Sequence, residues 1–120
     1  MTRIDIDDPE FEMDEGEVVL YRGERFTGEV VEYQKGALVS LVTYKEGVED
    51  GSSKAWYMDG TLRSDGVLRE GLPVGESKDW HPNGRPAARV FMSANGLRQL
   101  EITEWDDAGN LTKEWRAERG

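Results

Sequence analysis

Residues 41–64 read Leu-Val-Thr-Tyr-Lys-Glu-Gly-Val-Glu-Asp-Gly-Ser-Ser-Lys-Ala-Trp-Tyr-Met-Asp-Gly-Thr-Leu-Arg-Ser. Gly47, Gly51 and Gly60 divide this stretch into short runs carrying the β-branched and aromatic residues that suit strands. The pattern recurs along the chain. Gly36, Gly60, Gly84 and Gly109 form one column with steps of 24, 24 and 25; Gly23, Gly47, Gly71 and Gly96 form a second, and Gly28, Gly51 and Gly75 a third. Eleven of the fourteen glycines fall on these columns, which identifies a repeat of about 24 residues. Aromatics keep the same period: Trp56, Trp80 and Trp105 form one column, and Tyr33, Tyr57 and His81 stand three residues before a column glycine.

Two extended runs and two turns per period make the unit a β-hairpin. The dipeptides Asp59-Gly60, Asn83-Gly84 and Asn95-Gly96 are strong hairpin signals, read here as tight primed turns. Successive hairpins predict an all-β fold, an antiparallel meander of seven to nine strands in one elongated, curved sheet, with strand order equal to sequence order. Tyr33 with Leu38 and Tyr57 with Leu62 are expected as cross-strand pairs across their turns, and Trp56 and Trp80 are expected on the face opposite Tyr57 and His81. Helix signals are weak, the best being the short stretch from Thr112 to Arg119.

Composition narrows the function. At 120 residues, with 37% hydrophobic and 33% charged residues and a mean hydropathy of −0.70, the chain has material for only a thin core. It contains no cysteine, which excludes disulfides and thiolate metal sites. The net charge is −10, and residues 1–17 carry eight acids against Arg3 alone. The chain therefore divides into an acidic N-terminal segment, 1–17, and a repeat array, 18–120. Such a charge disfavours direct contact with nucleic acid or with an anionic membrane surface and suits a basic protein partner. No apolar run has the length of a membrane span, and the start of the chain carries no secretion or lipidation signal, so a cytoplasmic location is expected.

The segments Tyr-Gln-Lys-Gly-Ala-Leu (33–38), Tyr-Met-Asp-Gly-Thr-Leu (57–62) and His-Pro-Asn-Gly-Arg-Pro (81–86) resemble the aromatic-x-x-Gly-x-Leu signature of MORN-variant repeats. Tyr-Lys-Glu-Gly-Val-Glu-Asp-Gly (44–51) and Leu-Arg-Glu-Gly-Leu-Pro-Val-Gly (68–75) are similar to the second turn of that family. The resemblance covers residues 19 to about 115. Such repeats occur in YwqK-type antitoxins and in immunity proteins of bacterial polymorphic toxin systems. The resemblance therefore implies a protein that binds and neutralises a cognate toxin domain by covering its active site or substrate cleft. The family fixes no catalytic residue. A structural repeat module that scaffolds other proteins without inhibiting them is the alternative.

Catalytic readings find little to build on. His81 is the one histidine, and its column position reads as a substitute for the repeat aromatic. Asp5, Asp7 and Asp8 start like a calcium loop, but Pro9 and Glu10 stand where an oxygen ligand and a glycine are needed. No cofactor, no metal and no enzymatic activity are expected. The expected partner is a toxin domain, basic and acting on nucleic acid or nucleotides. The expected contact residues are Asp7, Asp8, Glu10, Glu12, Asp14 and Glu15 from the acidic segment and Trp56, Trp80 and Trp105 from the repeat face.

Overall fold

The computed structural model describes residues 1–118 and contains no helix among them. Eight strands follow one another as an antiparallel meander: β5 (Gly28–Gln34), β6 (Ala37–Lys45), β7 (Val48–Trp56), β8 (Leu62–Arg69), β9 (Leu72–Trp80), β10 (Pro86–Met92), β11 (Gln99–Trp105) and β12 (Leu111–Arg116). The short β1 (Arg3–Asp5) adds to β5 in parallel, completing a nine-stranded open sheet. The expected all-β meander in sequence order is therefore present. A second sheet of three strands was not expected; it comprises β2 (Phe11–Met13), β3 (Val19–Tyr21) and β4 (Glu24–Arg25).

The turns are of two kinds, which alternate from Gly47 to Gly84. Two-residue turns at Lys35-Gly36, Glu46-Gly47 and Glu70-Gly71 place both residues at positive φ, 49° to 51° at the first and 82° to 83° at the second. That pair of angles defines the primed hairpin turn. The Asp-Gly and Asn-Gly dipeptides lie instead in wider turns, correcting their assignment from sequence. In Tyr57–Thr61 the Gly60 N–H donates to the Tyr57 carbonyl at 3.0 Å and the Thr61 N–H donates to Asp59 Oδ1 at 2.9 Å. Among these residues only Gly60, at 92°, has positive φ. His81–Arg85 repeats the arrangement, with Arg85 N–H donating to Asn83 Oδ1. The acidic or amide side chain therefore satisfies a turn donor rather than adopting the left-handed conformation itself.

The wider turns carry an extra residue, and the register shifts beside them, at Ala55/Trp56 for instance. Consequently Trp56, not Tyr57, pairs with Leu62, whereas Tyr33 pairs with Leu38 as expected. Tyr57 and His81 stand just beyond the strand ends and reach forward along the array. The Tyr57 hydroxyl donates to the Trp80 carbonyl at 2.6 Å, and His81 Nε2 lies 2.8 Å from the Trp105 carbonyl. Asn83 and Arg85 donate likewise to the carbonyls of Asp107 and Ala108. In the last turn the column position holds Asp106, which bends inward to accept the N–H groups of Ala108 and Asn110.

Residues 112–116, the best helical stretch on sequence grounds, form most of β12, because pairing with β11 overrides a weak local preference. Arg119 lies outside the described residues.

The core sits at the N-terminal end of the sheet. Ile4, Val19, Phe26 and Val30 are buried together, with Phe11, Tyr21 and Tyr44 packed against them. Each of the four buried side chains contributes about 1.5–3 kcal/mol by leaving water. The acidic segment is therefore built into the fold: it supplies β1, β2 and the buried Ile4. Burial fades toward the other end, and all six residues of β12 are exposed.

Candidate partner-binding surface

Cross-strand partners share a face, so register assigns the rows of the sheet. Lys78 pairs with Arg89 and Arg89 with Thr103, while Trp80 pairs with Pro86 and Trp105 with Leu111. Trp80, at the end of β9, and Trp105, at the end of β11, line one open groove of about 300 Å³ together with Lys78, Asp79, Pro86, Ala88 and Arg89. The tryptophans reach this position because the 24-residue period sets each one at the strand end before a wide turn. Trp56, the first of the column, lines a separate depression with Leu38 and Met58. All three are half-buried: they pack along the strands and still present a flank to solvent.

The charged groups around the groove are organised. Glu76 accepts from Arg89 Nε at 2.7 Å and lies 3.4 Å from Lys78 Nζ. The hydrogen bond from Arg89 outweighs desolvation and, with a lesser one from Lys78, holds the Glu76 carboxyl below its ordinary range. The Arg89 guanidinium also lies over the Phe91 ring, 4.7 Å from its centre. Asp79 has its carboxyl pushed upward by desolvation, offset in part by Arg63. Two cations share one carboxylate here and Asp79 adds a second, so the groove edge combines aromatic surface with paired charge. Lys78, Arg89 and Pro86 were not singled out from sequence. The available signal was spacing: Lys78 stands two residues before Trp80, hence on the same side of β9.

The acidic candidates lie elsewhere. Asp7, Glu10, Glu12 and Glu15 are exposed. Asp8 is half-buried and accepts from the Tyr21 hydroxyl at 3.1 Å and from the Glu10 N–H at 2.8 Å. Asp14 Oδ1 accepts the N–H groups of Gly16 and Val18, both at 2.9 Å. Asp8 and Asp14 thus shape the segment's turns, while the other four carboxylates face solvent. The nine residues do not converge. β1 and β11 are seven strand steps apart in the large sheet, roughly 34 Å at about 4.8 Å per step. The structure joins Trp80 with Trp105 and leaves Trp56 and the acids as separate patches.

Among the described residues no group of three His, Cys, Asp or Glu side chains is arranged to hold a metal ion, and no helix is long and apolar enough to cross a membrane. Comparison with family models, with curated proteins and with solved structures returns no match for this chain.

Proposed function

We propose that this chain is a binding protein of the immunity or antitoxin type, which neutralises a cognate toxin domain by covering its active site or substrate cleft. The observation that carries the reading is the groove between Trp80 and Trp105, an open aromatic surface at the wide-turn end of a sheet whose last strand, β12, is exposed throughout. Half-exposed tryptophans flanked by a polar rim have the composition of an interface anchor. The repeat signature at residues 33–38, 57–62 and 81–86 supports the same reading.

Binding has two parts in this account. The exposed carboxylates of Asp7, Glu10, Glu12 and Glu15 attract a basic partner and accelerate encounter. The Trp80–Trp105 groove then takes an apolar side chain of that partner, with Lys78 and Arg89 at its edge able to meet a carboxylate. The test is capture from the native host with wild-type chain and with Trp80→Ala/Trp105→Ala, followed by mass spectrometry. A catalytic domain retained by the wild type and lost by the variant is expected. Equal retention by both would remove the groove from the interface.

A further inference from the structure

β12 forms one edge of the large sheet. The Ala117 N–H donates to the Leu100 carbonyl at 2.8 Å, so Ala117 turns its backbone toward β11. Backbone direction alternates along an antiparallel strand, so Lys113 and Trp115 also turn toward β11, while Glu114 and Arg116 point their N–H and C=O groups outward. Within the described residues no strand lies on that side. The wide turn beside it does not reach outward either: Asp106 caps its own turn, where Tyr57 and His81 reach the next repeat.

We infer that a second copy of this chain pairs with β12 edge to edge, antiparallel about a two-fold axis at Trp115. A two-fold axis perpendicular to the sheet keeps each face continuous, so the pairing is centred on a single residue. Centring on Lys113, Glu114 or Arg116 would set a like charge directly opposite its symmetry mate, which is destabilising. Centring on Trp115 sets Trp115 opposite its own mate and Glu114 opposite Arg116 of the second copy, twice. Glu114 and Arg116 are the residues with outward backbone groups, so they form the hydrogen-bonded pair. The tryptophans occupy the closer, non-hydrogen-bonded position that favours aromatic contact.

The face agrees. Trp115 pairs with Ile102, and Ile102 with Val90, so pairing extends one apolar row across the seam. Trp115, now 45% exposed, becomes part of that row.

Sedimentation equilibrium of the full chain tests the inference. Wild-type chain is expected to show a monomer–dimer equilibrium. Glu114→Arg, which faces arginine with arginine at both contacts, should weaken it at least about tenfold, and Glu114→Arg/Arg116→Glu/Glu101→Arg, which also reverses the Arg116–Glu101 ion pair within each chain, should recover most of the loss. Because the chain is free of cysteine, Trp115→Cys gives an independent measure of register. It should oxidise to a covalent dimer much faster than Glu114→Cys, since only position 115 meets its own mate. A wild-type chain that stays monomeric up to about 1 mM, or equal crosslinking at 114 and 115, would overturn the pairing.

Discussion

His81 Nε2 lies 2.8 Å from the carbonyl oxygen of Trp105, 24 residues ahead, as the Tyr57 hydroxyl lies 2.6 Å from that of Trp80, 23 residues ahead. A carbonyl only accepts, so the imidazole carries its proton on Nε2. An imidazole and a phenol thus do one job in successive repeats: each ties the end of one hairpin to the end of the next.

Equivalence of the two positions can be tested by exchange. Tyr57→Phe should cost about 0.5–1.5 kcal/mol, the usual net value of one hydrogen bond. His81→Tyr should keep or improve stability, whereas His81→Phe should lose about what Tyr57→Phe loses. Chemical denaturation of the three variants measures this. A His81→Tyr variant as unstable as His81→Phe would show that the column does not act as a repeat feature.

Backbone conformation separates two kinds of glycine. Gly60 has φ of 92° with open space where a Cβ would stand, so Gly60→Val should destabilise through strain alone, by about 1–3 kcal/mol. Gly47, at 83°, lies against the small sheet, where a Cβ would meet the Val18 side chain and lie 2.8 Å from the Val19 carbonyl oxygen. Gly47→Ala should therefore cost more than Gly60→Ala. Gly66 is a poor control for either, since a Cβ there would stand 3.3 Å from Ser77 Oγ. Equal melting temperatures for Gly47→Ala and Gly60→Ala would show that the close approach carries no cost.

Acid should loosen the turns. Asp106 has its carboxyl held below the ordinary value of 3.8, first by the Asn110 N–H, and Asp59 likewise by the Thr61 N–H. A carboxyl lowered in the folded state contributes stability that is complete above its unfolded value and lost as pH falls through the folded one. Thermal melts should stay level down to about pH 4 and then decline. Asp106→Asn keeps an acceptor in the turn but does not titrate, so its decline should be shallower. A decline identical to wild type would exclude the Asp106 charge as a contributor.

The 24-residue period and the order of the meander are legible in the sequence because glycine columns report turns directly. Other features are not. Lys35, Glu46 and Glu70 adopt positive φ although none is a preferred left-handed residue, since the glycine that follows each and the strand pairing on both sides fix the turn. The place of the acidic segment in the fold is not legible, because its eight acids mask Ile4 and Phe11, the two apolar residues that carry it into the core. Of the candidate surface, the tryptophan column was legible by spacing. Its separation into one groove and one outlying residue depends on where the bulges fall, and no residue type marks those.

That segment constrains how its charge is tested. Ile4→Ala should cost about 2–5 kcal/mol, so deleting residues 1–17 would confound charge with folding. Replacing Asp7, Glu10, Glu12 and Glu15 by their amides removes exposed charge and spares the turn-forming Asp8 and Asp14. The association rate with a captured partner should then fall by about tenfold or more at low salt, and its salt dependence should flatten. Unchanged association would reduce the acids to a solubility feature.

Neutralisation, as proposed, is read from the activity of a captured partner. Any catalytic domain that the wild-type chain captures would be assayed on its own substrate as the chain is added, in parallel with the Trp80→Ala/Trp105→Ala variant. Activity is expected to fall to near zero at one equivalent of wild-type chain, and the variant to be needed in large excess for the same effect. A partner that binds the chain tightly and keeps full activity at saturation would contradict neutralisation and establish a scaffolding role instead.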